Sequence, residues 1–364
     1  MAYWLVILGK LLAWILLVSS FLQQHFANGE PQVPCFFIFG DSFSDNGNNN
    51  NRATVAKANY QPYGIDFPKG TTGRFTNGRN LADFTAEKLG FPVDSIPPYA
   101  NAADGSVEKI LKGVNYASGG AGILTETGKT LGDLIPVDEQ LINHQKTVSR
   151  IINALGNKNA TQLLNKCIYS VAIGTNDYIN YYHAHKFYPT STPSQFAEIL
   201  LQKLSQQLRT LHQRGARKIV VYGLGLLGCF PYAVKRYGAN ISGCVDKINE
   251  GVSLFDSGLK SLVSDLNNNL TNATFIFINS TGISLDSISG SITVSNAACC
   301  QVSELFTAPQ CIPFAETCSN RIQYAFWDEV HPTEIAFSAT AARAYRALLR
   351  TDSYPFDIQR LAQI

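Results

Sequence analysis

The chain has 364 residues, of which 45% are hydrophobic and 15% charged, with a formal net charge of +2. That apolar content is ample for the core of one large domain, and the charged fraction falls below the roughly 25% typical of soluble proteins, a shortfall that glycans can offset. The balanced charge and the absence of any Lys/Arg run exclude a nucleic-acid-binding surface built on basic residues.

Residues 1–27 are a different material from the rest. Tyr3–Leu8 and Leu11–Phe21 form an apolar stretch broken only by Lys10, followed by small and polar residues around Ala27-Asn28-Gly29. This is the pattern of a secretory signal peptide cleaved near that point. An uncleaved anchor is the alternative, but Lys10 splits the run and leaves its longest piece short for a membrane span, so no stable span is expected after cleavage. Residues 33–355 contain nothing that reads as a linker and are expected to form a single domain.

The first strand is expected at Phe36–Phe39, where Gly40 lets the backbone turn sharply into Asp41-Ser42 and a segment rich in Asp, Asn, Ser and Gly. Further strands are expected at Val114–Ala117, Ile168–Ile173, Lys218–Tyr222 and Thr274–Ile278, mostly runs of Val, Ile, Phe and Tyr. Helical spacing of apolar residues falls between them, over Pro136–Leu155, from Thr192-Pro193 to Gly215, over Val245–Leu266 and over Glu334–Leu348. Strands alternating with helices imply a parallel sheet covered on both faces. Two long loops, Tyr60–Gly78 and Ile283–Cys318, carry Gly, Pro and aromatic residues, as ordered insertions around a crevice mouth do.

All eight cysteines lie beyond the leader, an even number that fits an oxidising compartment. Cys229 and Cys244 flank one polar loop and are the expected local pair. Cys299, Cys300, Cys311 and Cys318 share another loop with room for one or two bridges, while Cys35 and Cys167 precede strands and are read equally well as buried thiols. Sequons at Asn159, Asn240, Asn269, Asn272 and Asn279 are glycosylation candidates, with Asn269 and Asn272 too close for both to be filled. No cysteine or histidine spacing suggests zinc, and the Asp45–Asn51 cluster lacks the spacing of a calcium loop, so no metal and no cofactor are expected.

Three segments carry chemistry. Ser42 sits at a strand end, where a parallel sheet opens onto its ligand crevice and where following amides can stabilise an anion. Gly174-Thr175-Asn176-Asp177 puts an amide side chain at a second strand end. Asp328 precedes His331 by three residues, and Pro332 keeps that histidine out of helical geometry. A lone GDS tripeptide is most often a helix cap, and a lone His-Pro most often a surface or core histidine. A serine, a base with its orienting acid, and a neutral donor together are the parts of an acyl-transfer site.

In that order these blocks resemble those of the SGNH hydrolases, and in particular the plant-type GDSL esterase/lipases. GRFTNGR (Gly73–Arg79), GVNYASGGAGI (Gly113–Ile123), YGLGLLGCFP (Tyr222–Pro231) and YAFWDEVHPTE (Tyr324–Glu334) are similar to that subfamily too, so the likeness spans Phe36 to about Arg350. It implies a flavodoxin-like three-layer α/β/α sandwich with a mostly parallel sheet of about five strands. It also implies Ser42 as nucleophile, His331 as general base and Asp328 as its orienting acid. The oxyanion donors would be the Ser42 N–H, the Asn176 side chain and, by motif matching, the Gly119 N–H, with Gly120 second and Gly73 a weaker candidate. Asp41, Asp45 and Asp177 are expected to brace turns. No GxSxG pentapeptide occurs, so the site is not the nucleophile elbow of the α/β-hydrolases.

The activity expected is that of a secreted, monomeric serine ester hydrolase acting on a small-molecule or lipidic ester, in the cell wall or apoplast if the source is a plant. An acyltransferase that resolves the same acyl-serine with an alcohol is the nearest competitor. A catalytically silent carbohydrate or lipid binder on the same fold is disfavoured by the presence of all four site residues.

Overall fold

A computed structural model describes residues 30–184, 191–241, 243–287, 292–303 and 309–364; the leader expected at residues 1–27 lies outside them. Four apolar runs make the centre of the sheet: β1 (Phe36–Gly40), β2 (Ile168–Ala172), β3 (Lys218–Tyr222) and β4 (Thr274–Ile278), paired in parallel in that order. Each run is apolar at nearly every position because both of its faces are covered. Phe37, Phe39, Tyr169, Val171, Ile219, Val221, Phe275 and Phe277 point to one core, while Phe36, Ile38, Ile168, Val220, Tyr222, Ile276 and Ile278 point to the other.

Three long helices cover the first face. They are α2 (Val137–Lys166), α4 (Pro193–Gln213) and α5 (Asp246–Asn269), contributing Leu141, Ile151, Leu200, Leu208, Phe255 and Leu259 among others. Shorter helices α1 (Leu81–Lys88), α6 (Glu334–Tyr345) and α7 (Ile358–Gln363) cover the second with Leu81, Phe84, Phe337, Ala341 and Leu361. The result is the expected three-layer α/β/α sandwich. The start of α4 follows its sequence signal, with Thr192 and Gln195 forming a reciprocal capping box and Pro193 in the first turn. Helix α2 runs past the expected end at Leu155, because Gly156 takes a left-handed φ of 76° and kinks the helix without stopping it.

The sheet departs from expectation at its edges. Val114–Ala117 lies beside β1, with Ile38 N–H donating to Val114 O and Tyr116 N–H to Ile38 O, yet it makes only isolated bridges. The donors that meet β1 are those of Tyr116 and Ser118, whereas the Ala117 N–H, on the other edge of the segment, is taken by Asn115 Oδ1. The fifth strand is instead β7 (Ser353–Tyr354), antiparallel to β4. A two-stranded parallel ribbon, β5 (Val294–Ala298) with β6 (Tyr324–Phe326), forms within the long second insertion and where it rejoins the domain. Because the 114–117 segment flanks one side of β1 and β2 the other, the chain reverses direction across the sheet at β1, and its carboxyl end is where a crevice forms.

All eight cysteines are paired, as Cys35–Cys167, Cys229–Cys244, Cys299–Cys318 and Cys300–Cys311. The first pair corrects the reading of Cys35 and Cys167 as possible free thiols. Each immediately precedes one of two adjacent parallel strands, and Ile168 N–H donates to Cys35 O, so the in-register pairing brings the two sulfurs together. Among the described residues no helix is long and apolar enough to cross a membrane.

Candidate active site

The end of β1 is held before the site begins. Gln140 of α2, fully buried, accepts the Gly40 N–H at 3.0 Å and donates to Gly40 O at 2.8 Å, tying the strand end to the first turns of α2. A side chain at Gly40 would collide with Ala172 O of β2, so only glycine lets the two strands approach there. Ser42 follows in a turn fixed by Asp41, whose Oδ1 accepts the Phe43 N–H, and its own N–H carries no hydrogen bond among the described residues.

Across the crevice, the 327–332 turn presents the histidine. Asp328 Oδ1 accepts the N–H groups of Val330 and His331 at 2.8 and 2.7 Å, and Trp327 N–H donates to His331 O. His331 Nδ1 lies 2.6 Å from Asp328 Oδ2 and His331 Nε2 lies 2.8 Å from Ser42 Oγ. With the ring proton on Nδ1, the carboxylate accepts it and Nε2 accepts the serine hydroxyl, which is the relay that activates a serine. The three residues are 0–6% exposed, so the relay is shielded from bulk water. Phe75 lies against the imidazole with ring centroids 5.0 Å apart, and Phe43 meets its edge at 6.0 Å.

Asn176 stands in the first turn of α3 (Thr175–Ala184), directly after β2. Its Nδ2 donates one hydrogen to Ala121 O at 2.9 Å, which leaves the second for another acceptor. Gly119, expected as the third donor, has its N–H given to Asp45 Oδ2 at 2.9 Å, and a side chain there would strike Phe75. That N–H is therefore committed to the turn. The neighbouring Gly120, with φ of 81°, has an N–H without a hydrogen bond among the described residues, and Ala121 next to it is the residue Asn176 holds. Gly73, the weaker candidate, packs against Gly47 and Asn50 instead.

The buried acids are saturated with donors. Asp45 accepts the N–H groups of Gly47, Asn48 and Gly119, and Asp177 accepts those of Ile123 and Leu124 together with the Thr127 hydroxyl. Burial raises the carboxyls of Asp45 and Asp177 to about 6 and that of Asp41 to about 7, against the pull of those hydrogen bonds. These contacts are those of turn braces, as expected.

An apolar cavity of about 570 Å³ opens beside the serine. Asp41, Phe43, Thr175 and Pro332, which flank Ser42, Asn176 and His331, form one wall; Leu224, Phe230, Phe326 and Phe337 supply much of the rest. The Ser42 and His331 side chains are not part of its lining, so the cavity adjoins the relay behind Phe43. Three contributions escaped sequence reading: Gln140, Phe75 and Tyr63, whose phenol donates to Asp328 Oδ2 at 2.6 Å. Tyr63 and Phe75 fall in the loop expected as a crevice insertion, Phe75 within GRFTNGR, but neither residue type nor spacing reveals their contacts, and Gln140 is one polar residue among several on its helix.

A three-layer sandwich carrying a Ser-His-Asp relay at the carboxyl end of its first strand defines a serine hydrolase of the SGNH type. The chain belongs to the GDSL-like lipase/acylhydrolase family, whose model matches residues 36–344. It is similar to three GDSL esterase/lipases of Arabidopsis thaliana: 46% identical over 346 residues (93% of this chain, 94% of the relative), 43% over 359 (96% of each) and 42% over 358 (96% and 98%). The protein is a GDSL-type carboxylic ester hydrolase.

Proposed function

We propose that the protein is a secreted hydrolase that cleaves apolar carboxylic esters through an acyl-serine intermediate. Ser42 attacks the ester carbonyl as His331 Nε2 takes its proton, and Asp328 stabilises the imidazolium that forms. The oxyanion is received by the Ser42 N–H, the Gly120 N–H and the free Nδ2 hydrogen of Asn176, with Gly120 taking the place first given to Gly119. His331 returns its proton to the leaving alcohol, and a water activated by the same imidazole releases the acid. The single observation that carries this reading is the continuous chain Ser42 Oγ, His331, Asp328 at 2.8 and 2.6 Å. No cofactor enters any step.

The cavity behind Phe43 supports an apolar acyl or alcohol group, since its volume falls in the range of small-molecule sites and its walls are largely aromatic and aliphatic. Four disulfides support an extracellular location. Of the five sequons, Asn159, Asn240, Asn269 and Asn272 are exposed and suited to carry glycans, with one of the neighbouring Asn269 and Asn272 to be filled. Asn279 is partly buried, with its Nδ2 donating to Thr351 O and its Oδ1 accepting the Gly282 N–H, and is the least accessible of the five. The test is a panel of p-nitrophenyl esters of graded chain length with wild type and Phe230→Trp, which narrows the cavity. Long-chain esters should lose more kcat/KM than acetate; an equal effect on all lengths would separate the cavity from substrate binding.

A further inference from the structure

We propose that Tyr63 is a positioning residue of the hydrolytic site, holding the Asp328 carboxylate and tuning the basicity of His331 through it, and that the Cys300–Cys311 disulfide sets where its phenol points. The inference rests on the Ser42-His331-Asp328 reading above. Asp328 is fully buried and takes four donors, two on each oxygen: the backbone N–H groups of Val330 and His331 on Oδ1, and His331 Nδ1 and the Tyr63 hydroxyl, each at 2.6 Å, on Oδ2. The histidine and the phenol therefore share one oxygen. Whatever negative charge the phenol draws from Oδ2 is charge the imidazolium does not feel.

The phenol is itself fixed. Its oxygen accepts the Cys311 N–H at 3.1 Å, which polarises the O–H and strengthens it as a donor. Tyr60 donates to Cys311 O at 3.0 Å and meets the Tyr63 ring edge-on at 5.4 Å. Cys311 is bonded to Cys300, and Cys300 N–H donates to Trp327 O, the residue before Asp328. The path from Tyr63 to Asp328 and back through the disulfide is thus a closed ring of bonds and hydrogen bonds. Tyr63 is fully buried, and burial, reinforced by the adjacent carboxylate, holds its phenol far above the usual tyrosine range, so it stays a donor wherever the enzyme works. Among the described residues, Tyr60, from the same segment, and Asp41, coupled to His331 from the β1 side, are titratable groups that face this cluster.

The sign follows from the shared oxygen. In Tyr63→Phe, Oδ2 keeps its full charge for His331, the imidazole becomes more basic, and the acid limb of kcat/KM moves to higher pH, by roughly half a unit for the loss of one neutral donor to the carboxylate. With the carboxylate less firmly held, kcat should fall roughly tenfold, a part of the 10²–10⁴ that acid–base catalysis supplies, while KM stays within about twofold. Replacing Tyr63 by 2,3-difluorotyrosine, a stronger donor of nearly the same shape, should move the limb to lower pH. That variant also decides the matter if Tyr63→Phe does not fold. An acid limb that stays in place in the folded variants overturns the proposal, whatever happens to kcat. Ser42→Ala and Asp328→Asn are measured alongside: near wild-type activity in either would show that the relay reading itself is at fault, whereas their inactivity with an unmoved limb in the Tyr63 variants would reject Tyr63 alone.

Discussion

Asn176 offers a sharp separation between a side chain that holds the fold and one that serves the reaction. Its Nδ2 has two hydrogens, and Asn176→Ala removes both. The first is the bond to Ala121 O, a neutral contact at a half-buried residue worth about 1 kcal/mol, or a melting temperature roughly 1–2 °C lower for a chain of this size. The second is the one assigned to the oxyanion, and losing a donor of that kind costs about 10²–10³ in kcat. The two magnitudes are read on different instruments. Asn176→Asp sharpens the comparison, because it keeps the shape and replaces the donor with a carboxylate that repels an oxyanion. The assay is kcat and KM for a soluble p-nitrophenyl ester with melting temperature on the same preparation. Both variants should lose about a hundredfold or more in kcat with KM little changed and a modest thermal shift. A kcat per folded molecule within about threefold of wild type would refute the assignment and leave the backbone donors of Ser42 and Gly120 to suffice.

Three further outcomes follow from the structure. Replacing Cys35 and Cys167 together by alanine opens a loop of 132 residues and should cost about 4–5 kcal/mol in the chain-entropy picture, seen as a large drop in the denaturant midpoint; an unchanged midpoint would show that the pairing adds nothing to stability. Arg74 is buried and bound by Asp83 at 2.7 Å and Asp94 at 2.8 Å, so Arg74→Ala should destabilise by about 3–5 kcal/mol by stranding Asp83 and loosening the segment that carries Phe75, and a melting temperature within a degree of wild type would contradict this. Burial raises Asp45 and Asp177 to about 6 and Asp41 and Asp256 to about 7, so the native state keeps protons that the unfolded chain has released; the stability this contributes is full below about pH 4 and is lost as pH rises through 6–7, whereas the lowered carboxyls, such as Asp66 and Asp352, act below that window. The melting temperature should therefore decline from pH 5 to 8, less steeply in Asp256→Asn, and parallel slopes in the two proteins would reject the contribution of Asp256.

Much of this architecture was legible in the sequence, for reasons that lie in particular residues. Strands such as Ile168–Ala172 and Lys218–Tyr222 are buried on both faces and so read as unbroken apolar runs, and α4 announces itself through Thr192, Pro193 and a regular leucine stripe. Ser42, Asp328 and His331 stood out through the order of their blocks and the family resemblance those blocks carry, since each alone reads as a cap or an ordinary surface or core residue. What stayed hidden depends on contacts distant in the chain. The engagement of the Gly119 N–H by Asp45 lies 74 residues away, the Gln140 clasp on Gly40 spans 100, and the Tyr63 hydroxyl reaches Asp328 across 265. The Cys35–Cys167 bond needed the register of β1 against β2. Val114–Ala117 has a strand's composition and lies against β1, but its outer edge is closed by Asn115 Oδ1 on the Ala117 N–H, and no propensity scale records that.

The central claim is that Ser42 forms the covalent intermediate. Brief exposure of the purified protein to a fluorophosphonate, which traps activated serines, followed by peptide mass mapping, tests it most directly. One adduct should appear, on the peptide containing Ser42, and Ser42→Ala, folded as judged by its melting temperature, should take up no label and turn over no ester. An adduct on any other serine, or ester turnover persisting in Ser42→Ala, would contradict the account.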